Sequence, residues 1–262
     1  MSVKSIHVIP DANRIGETAA LIERWKVNLE YNDFFIPDLL DNKDELKKRI
    51  NLYRSLNRPV GTDTLHGVFF DMCINSADKK IAGLTKDRMR SSMEIASELG
   101  CKGVVFHTNL IPGFEPDNYL NGWLNSCEAF YRELLDEYKN LEIYLENMFD
   151  YKPDMLIEIA ENMKDQPRFG ICFDVAHSNI HMIPMVGWME VLAPYIKHLH
   201  INDNDGRCDD HKALGLGNID WATYFETIDR LNIDARLLVE VASLEAQEES
   251  LGYLKDNHYL NL

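Results

Sequence analysis

Short apolar runs alternate with longer amphipathic stretches along most of the chain. The short runs, such as Gly103–His107 and Ile196–Ile201, have the length and composition of buried or half-buried strands. The longer stretches repeat apolar residues at helical spacing, as Leu46 and Ile50 do within Asp41–Leu56. The pattern therefore predicts a strand followed by a helix, repeated along the sequence.

Eight such pairs are predicted. The strands are expected at Ile6–Val8, Val27–Tyr31, Gly61–His66, Gly103–His107, Leu141–Glu146, Phe169–Asp174, Ile196–Ile201 and Ala235–Glu240. The helices are expected at Arg14–Lys26, Asp41–Leu56, Lys86–Leu99, Asn118–Lys139, Pro153–Met163, Pro184–Leu192, Trp221–Leu231 and Ser243–Lys255. Eight alternations in 262 residues match the usual size of one (β/α)8 barrel, so we expect a single α/β domain over residues 1–262. An open, doubly wound parallel sheet is the alternative.

Composition limits the class of protein. With 45% hydrophobic residues the chain can bury one sizeable core. No apolar run approaches the roughly 20 residues that a membrane helix needs. The first ten residues lack a basic region followed by a long apolar one, so we expect no signal peptide. The five cysteines are scattered without a Cys-x-x-Cys pair, which fits a reducing compartment. We therefore expect a cytoplasmic protein without a membrane segment or a disulfide framework.

Metal-binding side chains recur where the predicted strands end. Strands three to eight end in His66, His107, Glu146, Asp174, His200 and Glu240, and three further donors follow shortly after, namely His177, Asp209 and His211. In a barrel all of these open onto the carboxyl face, where active sites lie. One such residue alone is more often a hydrogen-bonded loop residue, but six consecutive strand ends favour a metal site. Mixed nitrogen and oxygen donors suit Zn²⁺, Mn²⁺, Co²⁺ or Fe²⁺ better than Mg²⁺ or Ca²⁺.

Several other polar residues have simpler interpretations. His7 and His198 have no identifiable partner in the sequence, so we expect them to be structural. Trp221 is expected to pack in the core.

Short motifs at these positions resemble a known family. They are Val-Val-Phe-His at 104–107, Leu-Glu-Asn at 145–147, Phe-Asp-x-x-His at 173–177, His-x-Asn-Asp at 200–203, Asp-x-His at 209–211, Leu-Gly-x-Gly-Asn-Ile at 214–219 and Val-Glu at 239–240. Together they are similar to the xylose isomerase-like TIM barrel superfamily. That superfamily includes sugar isomerases and epimerases, inosose dehydratases and the apurinic endonucleases typified by endonuclease IV. The resemblance covers strands three to eight and implies a (β/α)8 TIM barrel.

The resemblance also implies ligand sets, which differ between branches of the superfamily. The endonuclease branch implies three divalent ions, held by His66, His107 and Glu146; by Glu146, Asp174, His200 and Glu240; and by His177, Asp209 and His211. The epimerase branch implies one ion, usually manganese, held by Glu146, Asp174, His200 and Glu240. In that branch Glu146 and Glu240 are also the acid and base groups, and His177 lies near the sugar oxygens. We therefore expect one to three ions, Mn²⁺ or Zn²⁺ first and Co²⁺ or Fe²⁺ next.

Charge separates the two branches. The chain has 27 Lys and Arg against 43 Asp and Glu, a net charge of −16, whereas a DNA-binding enzyme relies on cations that contact phosphates. We therefore expect a sugar, sugar phosphate or polyol as the small-molecule substrate, and no nucleic acid or membrane partner. Arg207 is the one candidate to contact a sugar hydroxyl. The expected enzyme is an isomerase or epimerase acting by proton transfer through a metal-stabilised enediolate. The alternative is an endonuclease IV-like phosphodiesterase with several metals that cuts abasic DNA; the intact donor set argues against a non-catalytic binding protein.

Overall fold

Eight parallel strands follow one another around a closed barrel in chain order, which confirms the predicted (β/α)8 TIM barrel. The computed structural model describes residues 3–180 and 183–259. The strands are β1 Ser5–Val8, β2 Asn28–Tyr31, β3 Thr64–His66, β4 Gly103–His107, β5 Glu142–Glu146, β6 Phe169–Asp174, β7 Ile196–Ile201 and β8 Arg236–Val239. The helices are α1 Ile15–Trp25, α2 Pro37–Asp41, α3 Lys43–Arg54, α4 Lys79–Leu99, α5 Asp117–Glu137, α6 Asp154–Asn162, α7 Val175–Asn179, α8 Met185–Leu192, α9 Trp221–Leu231 and α10 Leu244–Asp256, with a short 3-10 helix at Ala12–Arg14.

The described chain divides into two compact units. The first unit holds the described residues up to Glu30, the segment Asp150–Pro153 and the described residues from Ile171 onward. The second unit holds Tyr31–Phe149 and Asp154–Gly170. Each unit has its own set of parallel strands.

In the first unit, the register of the strands aligns the ends of β6, β7 and β8. Asp174 of β6 lies opposite His200 of β7, and His200 lies opposite Leu238 of β8. Glu240 follows β8 directly, and its backbone N–H donates to the Ile201 carbonyl at 2.8 Å, which continues the strand pairing by one residue. Parallel pairing brings the carboxyl ends of neighbouring strands to one edge, so the three polar residues at these ends share that edge.

In the second unit, β4 pairs in parallel with both β3 and β5. His107 at the end of β4 lies opposite Glu146 at the end of β5. All five residues of β4 are buried, as expected for a parallel strand covered on both faces. The register therefore places an imidazole beside a carboxylate at the same strand edge.

Two boundaries of the predicted elements differ from the sequence prediction by three residues or more, and the others that differ do so by one or two. Strand β3 begins at Thr64 rather than Gly61, because Gly61 adopts a φ of 80° and its N–H donates to the Gly100 carbonyl in a turn. Helix α4 begins at Lys79 rather than Lys86, because the Asp78 carboxylate caps it by accepting the Lys80 N–H at 2.8 Å. Within the described ranges, every helix is too short or too polar to cross a membrane.

Candidate metal centre

Two histidines and a glutamate form one donor group in the second unit, called here the His66 cluster (His66, His107 and Glu146). His107 Nε2 lies 3.2 Å from His66 Nε2 and 3.1 Å from Glu146 Oε2. His66 Nε2 lies 3.5 Å from the same oxygen. A tetrahedral ion with bonds of about 2.1 Å keeps its ligands roughly 3.4 Å apart. The three donor atoms therefore have the mutual spacing that one bound ion requires.

The surrounding chain fixes the direction of the His66 ring. Its Nδ1 lies 3.1 Å from the Gly67 carbonyl oxygen, so an Nδ1–H donor there leaves the lone pair on Nε2. A Cβ at position 67 would lie 2.4 Å from a ring carbon of Phe106, so only glycine fits at this position. Phe69 packs against both imidazoles of the cluster, with ring centroids 5.1 Å from His66 and 5.0 Å from His107. The cluster is thereby buried with its nitrogen donors already oriented.

A second group, the Asp174 cluster (Asp174, His200 and Glu240), lies at the ends of β6 to β8 in the first unit. Each of the three residues offers a donor atom within 4.8 Å of the other two, and all three residues are buried. His200 Nδ1 lies 3.2 Å from Glu240 Oε2. Asp174 Oδ1 accepts the backbone N–H of His177 at 2.6 Å and so caps α7, while Asn202 Nδ2 lies 3.4 Å from Asp174 Oδ2. The two oxygens of Asp174 thus have different surroundings.

Sequence reasoning missed Glu30, a fully buried carboxylate on β2. Its Oε2 lies 2.8 Å from His198 Nε2, and its Oε1 lies 3.0 Å from His200 Nε2. Burial opposes ionisation of Glu30, but the charges and hydrogen bonds of His200 and His198 hold its pKa well below the ordinary value. One signal could have revealed it: two histidines on the same buried face of a strand need an acceptor, and Glu30 is the acidic residue of the predicted strand Val27–Tyr31.

The third group, the His177 cluster (His177, Asp209 and His211), also lies in the first unit. Asp209 Oδ2 lies 3.3 Å from His177 Nε2 and 2.9 Å from His211 Nε2. His211 Nδ1 lies 2.9 Å from the backbone carbonyl oxygen of Glu240. An Nδ1–H group that donates to this oxygen would leave Nε2 as the nitrogen available to a metal ion. The Asp-x-His motif therefore brings its two side chains onto the histidine that follows β6.

Charge pairing shifts the pKa values in this cluster in opposite directions. Burial disfavours the charged form of His211, but the hydrogen bond with Asp209 and the Glu240 charge raise its pKa to about 10. Burial would raise the pKa of Asp209, but hydrogen bonds with His177 and His211 hold it well below the ordinary value. In the metal-free protein a positive His211 therefore faces a negative Asp209, and a divalent ion would take the place of the proton.

The loop that carries Asp209 and His211 is held by a buried carboxylate, Asp203. Its Oδ1 accepts the backbone N–H groups of Asn204 at 3.0 Å and Ile219 at 3.3 Å. Its Oδ2 accepts the Gly215 N–H at 2.9 Å and the Trp221 indole N–H at 3.0 Å. Trp221, expected from the sequence to pack in the core, is buried and also donates this hydrogen bond. One side chain therefore closes the turn between β7 and α9.

The two glycines of the Leu-Gly-x-Gly-Asn-Ile motif are required by this turn. Gly215 has a φ of +83°, a conformation that other residues adopt at a cost. A Cβ at Gly217 would lie 2.1 Å from Asp203 Oδ1 and 2.2 Å from the Asn204 carbonyl oxygen. The backbone of Asp203 also pairs with Lys212 through two hydrogen bonds of 2.8 and 2.9 Å, which places the adjacent His211. The glycines of the motif thus allow the turn that positions Asp209 and His211.

The nine predicted donors are distributed over these three clusters, and their role as ligands stays a prediction. Their imidazole nitrogens and carboxylate oxygens form a donor set that fits a borderline divalent ion such as Zn²⁺ or Mn²⁺. Arg207, the candidate contact for a sugar hydroxyl, has a side chain that is 83% exposed and pairs with Asp205 at 2.9 Å. His181 lies outside the described residues.

Comparison with known proteins places the chain among related barrels. The family model for the xylose isomerase-like TIM barrel matches residues 19–257. An uncharacterized protein of Methanocaldococcus jannaschii is 26% identical over 247 residues, covering 89% of this chain and 80% of that protein. The crystal structure of a D-tagatose 3-epimerase-like protein has a TM-score of 0.74 and 24% identity, covering 96% of each chain. At that identity the structural likeness shows the fold alone.

A partial match links the chain to a nuclease. A probable endonuclease 4 of Buchnera aphidicola is 25% identical over 174 residues. The match covers 56% of this chain and 62% of that protein.

Proposed function

Because the chain belongs to the xylose isomerase-like TIM barrel family, we propose that it is a divalent-metal-dependent isomerase or epimerase of a sugar, sugar phosphate or polyol. The observation that carries the proposal is the set of buried imidazole and carboxylate donors at the ends of β3 to β8 in a chain of net charge −16. The fold shared with a D-tagatose 3-epimerase-like protein supports it. We also propose that residues 1–262 act as one catalytic domain, since the family match spans most of them.

The proposed ligands follow from the resemblance and from the clusters. We propose that Glu146 joins Asp174, His200 and Glu240 in holding the catalytic ion. The other donors would hold further ions when these are present, namely His66 and His107 with Glu146, and His177 with Asp209 and His211. Mn²⁺ and Zn²⁺ suit these donors best, with Co²⁺ and Fe²⁺ next.

The proposed reaction moves a proton at a carbon next to a carbonyl. The bound ion would supply Lewis acidity, which acidifies that carbon and stabilises the negative charge that develops on oxygen. Glu240 would remove the proton and Glu146 would return one, or the reverse for the opposite stereochemistry. His177, 4% exposed, would orient a substrate hydroxyl by hydrogen bonding.

An abasic-DNA phosphodiesterase is the second candidate. It is favoured by the endonuclease match and by the presence of donors for all three ions of that branch. The loop that follows β4 argues against it, because Asn109–Asp117 contains Glu115 and Asp117 but no Lys or Arg to contact phosphates. Arg207 and Lys212, on the loop after β7, are paired with Asp205 and Asp210.

Metal analysis and a sugar panel test the proposal together. Protein purified without chelators should carry near-stoichiometric Mn, Zn, Co or Fe by elemental analysis. With a panel of ketoses and polyols in deuterated water, we expect deuterium at the carbon next to the carbonyl in the converted sugar. A protein that binds no divalent ion would overturn the proposal, and hydrogen transfer without solvent exchange would exclude Glu240 as the base.

A nuclease assay separates the two candidates. DNA carrying an abasic site, tested at low salt where electrostatic attraction is strongest, should bind weakly and stay intact. Efficient metal-dependent incision under these conditions would favour the phosphodiesterase over the isomerase.

A further inference from the structure

We propose that Glu30 is a positioning residue that holds the ligand His200 in the tautomer and orientation needed to bind metal. The inference rests on the proposed function, because it assigns Glu30 a role toward the ion that His200 would ligate. Glu30 lies outside every motif that carried the family resemblance. Its place is on β2, in the interior of the first unit.

The contact between Glu30 and His200 decides which imidazole nitrogen carries the proton. Glu30 Oε1 lies 3.0 Å from His200 Nε2, and both side chains are fully buried. A carboxylate oxygen at this distance attracts an N–H group and repels a nitrogen lone pair, so it favours the Nε2–H form of the ring. The lone pair then lies on Nδ1, which is the nitrogen 3.2 Å from Glu240 Oε2. Glu30 therefore directs the donor atom of His200 toward the Asp174 cluster.

The second oxygen of Glu30 has an equivalent partner. Glu30 Oε2 lies 2.8 Å from His198 Nε2, and His198 is fully buried as well. His198 and His200 reach the same carboxylate because side chains two residues apart on a strand share one face. The two imidazoles hold the carboxylate from both sides, so the position of Oε1 relative to His200 is fixed.

Packing on the other side keeps His198 in place. The His7 ring lies edge-on to the His198 ring, with centroids 5.8 Å apart. His7 is itself held by its Nδ1, 3.2 Å from the Leu29 carbonyl oxygen, and by its Nε2, 3.0 Å from Ser5 Oγ. Leu29 directly precedes Glu30, so the same stretch of β2 anchors both ends of this buried arrangement.

Only a carboxylate can accept from both histidines. In Glu30→Gln one of the two oxygens becomes an NH₂ group, which donates and cannot accept. One imidazole must then switch tautomer or lose its partner inside a fully buried site. If the switch falls on His200, the proton moves to Nδ1 and blocks the donor atom. If it falls on His198, His200 keeps a neutral and weaker acceptor.

Metal affinity is the first test. We expect Glu30→Gln to weaken binding of Mn²⁺ or Zn²⁺ alone by about 10–100-fold in competition with a chelator, as for other partners of ligating histidines. Glu142→Gln is the matched control, because it makes the same substitution on a strand at a glutamate that pairs with Lys102. This control should bind within about twofold of the parent protein, since it leaves every donor and its partners unchanged. Equal affinities for Glu30→Gln and the parent would overturn the proposal.

The tautomer of His200 gives a readout that simple loosening of the core would not produce. The chain has nine histidines, so ¹⁵N-labelled imidazole spectra are tractable, and a His200→Gln variant assigns the signal. In the parent protein loaded with Zn²⁺ we expect His200 to bind through Nδ1 and to keep its proton on Nε2, and this measurement stands even if Glu30→Gln fails to fold. A His200 ring that binds Zn²⁺ through Nε2 would overturn the inference. A parent protein that binds no divalent ion in the affinity test would instead refute the proposed function.

Discussion

The Asp203 carboxylate offers a sharp test of how the donor loop is held. It accepts four N–H groups, from Asn204 and Ile219 on one oxygen and from Gly215 and Trp221 on the other. In Asp203→Asn one oxygen becomes an NH₂ group, so two of these donors lose their acceptor while the remaining pair loses its charged partner. A hydrogen bond to a charged group contributes about 1.5–3 kcal/mol, so the loss should be about 3–5 kcal/mol. Because the Gly215 N–H is partly exposed, we expect the loss of stability to stay below the full sum of two charged hydrogen bonds.

Thermal unfolding of the metal-free protein measures this loss, since a bound ion would add stability of its own. At about 2–4 °C per kcal/mol for a chain of this size, the midpoint should fall by roughly 6–20 °C. Asp220→Asn is the matched control: Asp220 caps α9 by accepting the Thr223 N–H at 3.0 Å, a role that asparagine performs equally well. Its midpoint should move by about 2 °C or less. If the two variants unfold within about 2 °C of each other, the four-bond account of Asp203 is wrong.

Three further predictions concern the turn, the third cluster and the chemistry. In Gly217→Ala the new Cβ would lie 2.1 Å from a carboxylate oxygen, so the folded protein should lose more than about 2 kcal/mol of stability. Gly122→Ala on α5 is the control: its Cβ would meet nothing within 4 Å, so the folded protein should gain about 0.5–1 kcal/mol. Equal melting temperatures for the two variants would contradict this prediction. His211 has a pKa raised to about 10, so its contribution to folding stability should be complete below its unfolded pKa of about 6.5 and be lost as pH rises through about 10. Asp209 has a lowered pKa, so its contribution should be lost as pH falls below about 4. Urea unfolding of metal-free protein across this range should show the alkaline loss, and His211→Gln should remove it. Glu240→Gln should retain much of the metal yet lose about 10²–10⁴-fold of the turnover per bound ion, and a parallel loss of metal and turnover would show that Glu240 is only a ligand.

The fold was largely predictable from periodicity. Strands β6 and β7 and helix α9 have the predicted bounds, because each is a short apolar run or a clear amphipathic repeat. Helix α2 at Pro37–Asp41 and helix α7 at Val175–Asn179 were not predicted, since five residues are too few to show a helical repeat. Helix α4 was predicted seven residues too short, because its first two turns begin with lysines and a capping aspartate rather than with a regular apolar pattern.

Candidate donors can be proposed from the sequence because metal chemistry restricts ligands to a few residue types, and these recur at strand ends; that they bind a metal ion stays a prediction. The residues that position these donors cannot be identified from the sequence, because their role depends on which residues they contact in the folded protein. Glu30 is separated from His200 by most of the chain, and only the closing of β1 and β2 onto β8 in the first unit brings them into reach. The sequence predicts Asp203 only as part of a loop motif, whereas in the structure its carboxylate accepts four hydrogen bonds that no local sequence pattern predicts.

The double role of Asp174 affects how relatives of this protein should be interpreted. Its Oδ1 begins α7 by accepting the His177 N–H, a contribution of about 0.5–2 kcal/mol that does not depend on a bound ion. A homologue that has abandoned metal chemistry would still have a reason to retain aspartate at this position. Asp209 differs, because its Oδ2 contacts His177 and His211, the two other members of the His177 cluster. In a sequence alignment, loss of Asp209 would therefore indicate loss of metal binding more reliably than the state of Asp174 does.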